Sequence, residues 1–208
     1  MTTTDNDPKL LEQLSDKILE AMPLAVWHEL FAGPQRAPVR FAQRELSMVQ
    51  AFAEPGTLID RRRLHELVAR HDGVVDPQPA GAVLALFEDP LAAVRMAMEL
   101  QRDMRQLRLR VGVVSGPCML ALFEAHGQSW CTPVGELVER VAQTARQAAA
   151  GSIVLSPESY TQVELPLAPD GAACMLMEEF ELDGALSQAT IAFAPQGYAS
   201  TFAGLGCH

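Results

Sequence analysis

The segment AVLALFEDPLAAVRMAMELQ, residues 82–101, constrains the fold of this chain more than any other part of the sequence. Residues 82–87 form a short, continuous apolar run, which is typical of a buried strand. Asp89 and Pro90 then supply an N-cap and a proline at the first helical position, so a helix begins directly after that strand. The apolar side of this helix is marked by Leu91, Val94 and Met98. A strand followed at once by an amphipathic helix predicts a helix packed on a sheet.

The same two patterns alternate along the rest of the chain. Strands are predicted at 39–46, 74–75, 82–87, 107–114, 118–123, 152–156, 173–182 and 189–195. Helices are predicted at 60–71, 90–106 and 135–150 after a first helix that begins at Asp7-Pro8. The two strands within 107–123 are expected to be joined through Ser115-Gly116-Pro117. This order predicts an α+β domain of the ferredoxin-like kind, an antiparallel-rich sheet flanked by helices.

The breaker-rich stretch FAGPQRAP, residues 31–38, predicts the main boundary along the chain. We therefore expect an N-terminal amphipathic helical segment with its linker at 1–37, one domain at 38–195, and a loosely ordered tail at 196–208. The first helix has an apolar stripe and a polar opposite side. It either packs on its own domain or forms a contact with a second copy or a partner protein.

Composition excludes several classes of function. The net charge of −10 argues against a nucleic-acid partner, which needs clustered basic residues, and the arginines at 61–63 are typical of a solvated helix face. No apolar run approaches the roughly 20 residues that span a bilayer, so no membrane partner is expected. The N-terminus lacks the pattern of a signal peptide, and the four cysteines lack CxxC spacing. These features predict a cytoplasmic protein with reduced cysteines.

Motifs that carry chemistry by themselves are weak in this sequence. Cys118, His126 and Cys131 lie close enough in sequence to suggest a metal site, but the pattern is weak, and buried or incidental thiols are the alternative. No phosphate-binding GxxxxGK[ST] motif occurs. Side chains that could act in acid–base catalysis, each also compatible with an ordinary structural role, are Glu45, His71, His126, Glu136 and Glu139.

Three segments together resemble the catalytic domains of class III adenylate and guanylate cyclases. They are ARHDGVVDPQPAGAVLALFEDPLAAVRMAMELQRDM (69–104), LRLRVGVVSGPCMLALF (107–123) and CTPVGELVERVAQTARQAAAGSIVLSPESY (131–160). They resemble, in order, the family's glycine-rich corner with its strand and long helix, its next hairpin, and its Thr-Val-Ile-Gly-Asp-x-Val-Asn-x-Ala-x-Arg segment. The resemblance runs from about residue 39 to 160 and more loosely to 195, and it implies the cyclase fold.

In that family, the ribose 3′-hydroxyl of a nucleoside triphosphate attacks the α-phosphate. Two metal ions held by two aspartates stabilise the attacking and leaving oxygens. An asparagine orients the ribose, an arginine offsets negative charge, and a lysine with an Asp or Thr reads the base. Some members divide these groups between two unequal chains.

This sequence departs from the family at almost every one of those positions. The first metal aspartate corresponds to Gln43, and a local shift of the alignment does not change the conclusion, because no Asp occurs from residue 17 to 59. The second metal aspartate corresponds to Gly81, and the base-reading lysine to Pro77. The asparagine corresponds to Glu139 and the arginine to Gln143. Thr132 alone keeps a residue type that the family uses, at its second base-reading position, and Glu136 adds another carboxylate nearby.

The resemblance therefore implies a cyclase-like domain without catalytic residues, metal or cofactor. A carboxylate near a triphosphate repels it, and a glutamine cannot offset developing negative charge as arginine does. We expect a pseudo-cyclase that acts in regulation through dimerisation, as a homodimer, or through protein interaction involving the first helix. Two alternatives stay open, a sensor that binds a small molecule or nucleotide in the old cleft, and a divergent purine nucleotide cyclase.

Overall fold

The computed structural model describes residues 7–32, 37–163 and 190–193, the last four by their backbone alone. Six α-helices in this part of the chain are α1 Pro8–Ala21, α2 Leu24–Trp27, α3 Arg61–Arg70, α4 Pro90–Asp103, α5 Glu136–Gln147 and α6 Pro157–Gln162. A π-helical turn at His28–Ala32 and a 3₁₀ turn at Arg105–Leu107 continue α2 and α4. None of the helices in the described ranges is long and apolar enough to cross a membrane.

Within the described ranges, seven strands form one sheet, and they confirm the predicted α+β fold. They are β1 Arg40–Phe52, β2 Val74–Asp76, β3 Ala82–Phe87, β4 Arg110–Ala125, β5 Gln128–Val134, β6 Ser152–Leu155 and β7 Thr190–Phe193. The order across the sheet is β2-β3-β1-β4-β6-β7, with β5 paired to β4. All pairs are antiparallel except β4 with β6 and β6 with β7, which are parallel.

The structure corrects two strand predictions. β1 ends at Phe52 rather than at residue 46. The segment 107–123 is not a pair of strands, because β4 is one continuous strand along β1 and its hairpin partner is β5, which the sequence analysis missed. Among the described strands, the neighbours on the second side of β4 pair with it at 111–113 and 119–125, so Pro117 interrupts no pairing there. A proline is tolerated where a strand lacks a second partner.

Helices cover both faces of the sheet. One face packs against α3 and α4, and its cluster includes Val49 and Ala51 of β1. Leu46 and Met48 alternate with those residues and pack against α5 on the other face. Gly112 lets α5 come close, because a Cβ at this position would lie 2.5 Å from the backbone nitrogen of Ala145. The predicted strand at 173–182 and the tail at 196–208 lie outside the described residues.

Candidate functional site

The first helix, α1, packs against the β4–β5 hairpin. Asp7 caps α1 by accepting a hydrogen bond from the backbone N–H of Lys9 at 2.9 Å. Leu14 and Ile18 of α1 are completely buried in a cluster with Phe123 of β4 and Val134 of β5. The apolar stripe seen in the sequence therefore faces this chain's own domain, which was one of the two alternatives for the helix.

Lys17 lies between these two buried residues and enters the domain. Its Nζ is 2.8 Å from Oδ2 of Asp76, the last residue of β2, and donates to the backbone oxygen of Pro133 at 2.8 Å. The side chains of Lys17 and Asp76 are 12% and 1% exposed. Such an ion pair, almost closed to water, is costly to form unless further hydrogen bonds satisfy both groups.

Those further hydrogen bonds are present. Oγ1 of the fully buried Thr132 donates to Oδ1 of Asp76 at 2.6 Å, and Nε2 of Gln78 donates to Oδ2 at 3.0 Å. Burial lowers the pKa of Lys17 from its ordinary value, and the neighbouring Asp76 carboxylate opposes that shift. We call Lys17, Asp76, Gln78, Thr132 and Pro133 the Lys17 cluster.

A second polar contact ties α1 to the start of α5. Nε2 of Gln13 donates to Oε1 of Glu139 at 2.7 Å. Gly135, the residue before α5, has a φ of +90°, and a Cβ there would lie 3.5 Å from Cδ2 of Leu10. Helix α1 thus lies across the beginning of α5 as well as across the β4–β5 hairpin.

Solved structures of nucleotide cyclases share this architecture. The adenylyl cyclase CyaB from P. aeruginosa matches with a TM-score of 0.51 and 17% identity, over 64% of this chain and 91% of that one. The GTP complex of the guanylate cyclase domain of RhGC from Catenaria anguillulae matches with 0.52 and 12%, over 61% and 86%. The dimeric guanylyl cyclase domain of the RhoGC fusion protein from Blastocladiella emersonii matches with 0.52 and 14%, over 61% and 88%. The fold is that of nucleotide cyclase catalytic domains.

Sequence comparison adds nothing to this structural likeness. No protein-family model matches the chain, and no curated protein matches it. At the identities found, the likeness establishes the cyclase fold alone. The roles of individual residues have to be argued from this chain's own contacts.

Within the cyclase fold, the two predicted base-reading positions meet at the Lys17 cluster. Thr132 belongs to the cluster, and Pro77 directly follows Asp76. Glu139 joins this region through Gln13, and Gln143 lies one turn further along α5 with its side chain exposed. Glu136 is also exposed, at the first position of α5.

Gly81 lies at the turn that leads into β3. Its φ is +82°, a conformation that favours glycine, and its carbonyl oxygen accepts a hydrogen bond from the backbone N–H of Ala53 at 2.9 Å. This contact places the predicted second metal position beside the end of β1. The glycine explains the tight turn, but it offers no side chain to a ligand.

Gln43 is not close to that turn. It pairs with Met119 near the beginning of β1, and ten residues separate it from Ala53, about 33 Å along an extended strand. The polar β1 residue nearer to the turn is Gln50, which pairs with Leu84 of β3. Gln50 is 2% exposed, and its Nε2 has no hydrogen-bond partner among the described residues.

The remaining candidate residues, those predicted for a metal site or for acid–base catalysis, show no arrangement that supports such a role. The described residues contain no group of three or more His, Cys, Asp or Glu side chains that could hold a metal ion, so Cys118, His126 and Cys131 do not form one. Burial raises the pKa of Cys118 to about 12 and raises that of Cys131. Nε2 of His71 lies 2.7 Å from Glu99 in a surface ion network, and Glu45 is exposed.

The sequence analysis did not predict a role for three residues of this region, namely Lys17, Asp76 and Gln50. A single lysine between Leu14 and Ile18 of an apolar stripe was the available signal for Lys17. Asp76 carried no comparable signal, because its partners Lys17 and Thr132 lie 59 and 56 residues away in the chain. Gln50 was hidden by the shorter prediction for β1.

Proposed function

We propose that this chain is a non-catalytic cyclase-homology domain that acts in regulation through dimerisation or protein interaction. The observation that supports this most strongly is the Lys17 cluster. In the family that the sequence resembles, residues at the positions of Pro77 and Thr132 read the nucleotide base. In this chain the hydroxyl of Thr132 and the neighbouring Asp76 carboxylate are already bonded, and α1 lies over them.

The remaining positions support the same proposal. Gly81 has no side chain, and the nearby Gln50 is an uncharged amide, whereas magnesium is held in such sites by carboxylate oxygens. Glu139 is bonded to α1, and it would bring negative charge towards a triphosphate. With Gln143 in place of an arginine, the growing negative charge on the phosphates has no counterpart at that position.

The test is a cyclase assay on the full chain. Purified protein is incubated with ATP or GTP and with Mg²⁺ or Mn²⁺, and cyclic nucleotide and pyrophosphate are measured beside an active cyclase. We expect no product above the protein-free blank. Turnover that disappears in Glu139→Ala, and persists in the matched surface variant Glu124→Ala, would show that the chain is a divergent cyclase.

Dimerisation is tested separately by sedimentation velocity. We propose a homodimer because cyclase-fold domains pair in the family that the sequence resembles. A single concentration-independent monomer would leave interaction with a different protein as the remaining form of the proposal. The scattered cysteines support a cytoplasmic location for either form.

A cavity favours one second candidate, a small-molecule sensor. The cavity has a volume of about 180 Å³ and lies between the segment before α3 and the turn at 77–81. Its wall is mostly apolar, and its charged or polar groups are Arg61, His65 and the Asp76 carboxylate, which is already paired with Lys17. Such a site suits a small apolar molecule that carries an anionic group. A thermal-shift screen of small aromatic and aliphatic acids tests this candidate, and Arg61→Ala should abolish any stabilisation.

A further inference from the structure

We propose that Lys17 of α1 determines the charge preference of the cavity at the turn 77–81, and that the cavity takes a single-ring or short-chain monocarboxylate because this lysine neutralises Asp76 in its wall. The inference rests on the second candidate function, since it presupposes that the cavity binds a ligand. It goes further in naming the ligand class and in assigning a role in specificity to a residue outside the cavity wall.

The size of the cavity limits its occupant. Its volume of about 180 Å³ lies below the roughly 300–1,000 Å³ of pockets for drug-sized ligands. A nucleoside triphosphate is too large for this volume, whereas one ring or a short branched chain fits. The apolar part of such a ligand would contact Leu64, Val75 and Val83 in the wall. Leu64 and Val83 are almost fully buried, so the core holds these two side chains in place.

Arg61 supplies the group that an anion requires. It is the first residue of α3, and its Nη2 donates to the backbone oxygen of Gln78 at 3.2 Å. A guanidinium has five N–H donors, so further donors remain for a carboxylate. The other three arginines of α3, unlike Arg61, lie in ion pairs with described carboxylates. Asp60, the neighbour of Arg61, caps the helix by accepting a hydrogen bond from the backbone N–H of Arg63 at 3.2 Å.

Asp76 would repel an anion if it stood alone, because its carboxylate belongs to the same wall. Within the wall, the permanent charges of Arg61 and Asp76 cancel each other. Lys17 adds a positive charge 2.8 Å from Oδ2 of Asp76, and Thr132 donates to Oδ1 at 2.6 Å. The pair of Lys17 and Asp76 carries no net charge, so the positive charge of Arg61 is left for a ligand. With α1 docked as it is in this structure, the cavity therefore favours an anion.

The experiment uses three probes of similar shape and different charge, namely benzoate, benzamide and benzamidine. Each is titrated into the nitrogen-15-labelled full chain, and its affinity is taken from the chemical shifts of wall amides such as those of Gly81 and Val83. The titrations are made at about pH 8, where imidazole is neutral and a carboxylate that accepts hydrogen bonds is ionised. The variants are Lys17→Met and, as the matched control, Lys9→Met, because Lys9 is exposed on the same helix.

We expect the wild type to bind benzoate most tightly, benzamide less tightly and benzamidine least. In Lys17→Met the ratio of benzoate affinity to benzamidine affinity should fall about tenfold or more, because the unpaired Asp76 repels the anion and attracts the cation at the reduced dielectric of a protein surface. Lys9→Met should keep the wild-type ratio. The double variant Lys17→Met with Asp76→Asn has no charge at either position, so its ratio should return towards that of the wild type.

An unchanged ratio in Lys17→Met, or an equal loss of affinity for all three probes, would overturn the inference, since a purely structural lysine has no effect on charge preference. If Lys17→Met does not fold, Asp76→Asn makes the same test with the opposite sign, because its uncompensated ammonium should raise the ratio.

The outcomes also separate this inference from the functions on which it depends. If no probe shifts the wall amides of the wild type, or if the wild type prefers benzamidine, the second candidate function and this inference both fall. If Arg61→Ala abolishes benzoate binding but Lys17→Met leaves the ratio unchanged, the inference alone falls. Neither result alters the outcome of the cyclase assay.

Discussion

Replacing Asp76 by asparagine tests whether the Lys17 cluster is as closed to water as the structure indicates. The substitution keeps the shape of the side chain but removes the charge opposite Lys17. Loss of one partner from a buried ion pair costs about 3–5 kcal/mol, because the other charge is left buried without compensation. Lys17 is 12% exposed and can partly turn its ammonium towards water, so we expect the lower end of this range.

A loss of about 3 kcal/mol corresponds to roughly 6–12 °C in the midpoint of thermal unfolding for a chain of this size. Urea unfolding followed by circular dichroism gives the free energy directly. The matched control is Glu88→Gln, which removes the charge from an exposed pair with Arg44, where the side chains are 83% and 54% exposed. Exposed pairs contribute about 0–1 kcal/mol, so this variant should stay close to wild type.

The double variant Lys17→Met with Asp76→Asn isolates the interaction. If the destabilisation comes from an uncompensated ammonium, the double variant should be more stable than Asp76→Asn alone. Asp76→Asn and Glu88→Gln variants of equal stability would refute the reasoning. They would mean that water reaches the pair and that α1 does not seal it.

The pH dependence supplies an independent check on the same pair. Because burial lowers the pKa of Lys17 in the folded chain, the unfolded chain binds more protons in the alkaline range between that pKa and the ordinary lysine value. Stability contributed by this group therefore rises with pH across that range. The rise should be absent in Lys17→Met.

Three other changes test the surroundings of the cluster. Leu14→Ala should destabilise the protein by about 2–5 kcal/mol in urea unfolding because Leu14 is fully buried, whereas the half-exposed Leu19→Ala should have little effect, and equal losses would show that α1 is not docked. Gly112→Ala should lower the free energy of unfolding more than Gly127→Ala does. A Cβ at Gly112 meets the backbone of α5, whereas one at Gly127 meets nothing within 4 Å, and urea unfolding measures both variants. The part of the stability that Cys118 contributes should fall as pH rises above the ordinary thiol value towards 12, because the unfolded chain releases the Cys118 proton first, and the Cys118→Val variant should lose less stability than the wild type over this range in alkaline unfolding curves.

Local patterns were sufficient to predict most of the fold. The prediction for β3 at 82–87 agrees with the observed bounds, and helices α3, α4 and α5 begin within a residue of their predicted positions. These elements carry their signals nearby in the chain, as apolar periodicity and as caps such as Asp60 and Asp89. β5 was missed because GQSWCTPV has neither a continuous apolar run nor a clear alternation, and its pairing with β4 defines it as a strand.

The position of the site depended on contacts that no local pattern contains. Pro77, Gly81 and Thr132 were identified through the resemblance, and the structure places Pro77 and Thr132 beside one another through Asp76. Gln43 was assigned from a strand predicted to end too early, and Gln50 is the residue that the longer β1 carries towards Gly81. Their roles stay predictions until the cyclase assay and the variants are measured.

The sequence by itself determined the α+β architecture and the acidic character of the chain, and from it we predict that aspartates are missing at the positions that the cyclase family uses for metal. These properties depend on residue types and on periodicities of a few residues. The tertiary structure alone decided that α1 lies over Asp76 and Thr132, because the contact joins Lys17 to Asp76 across 59 residues and to Pro133 across 116. A lysine in an apolar stripe has to find an acceptor when the stripe is buried, and only the folded sheet shows that the acceptor is Asp76.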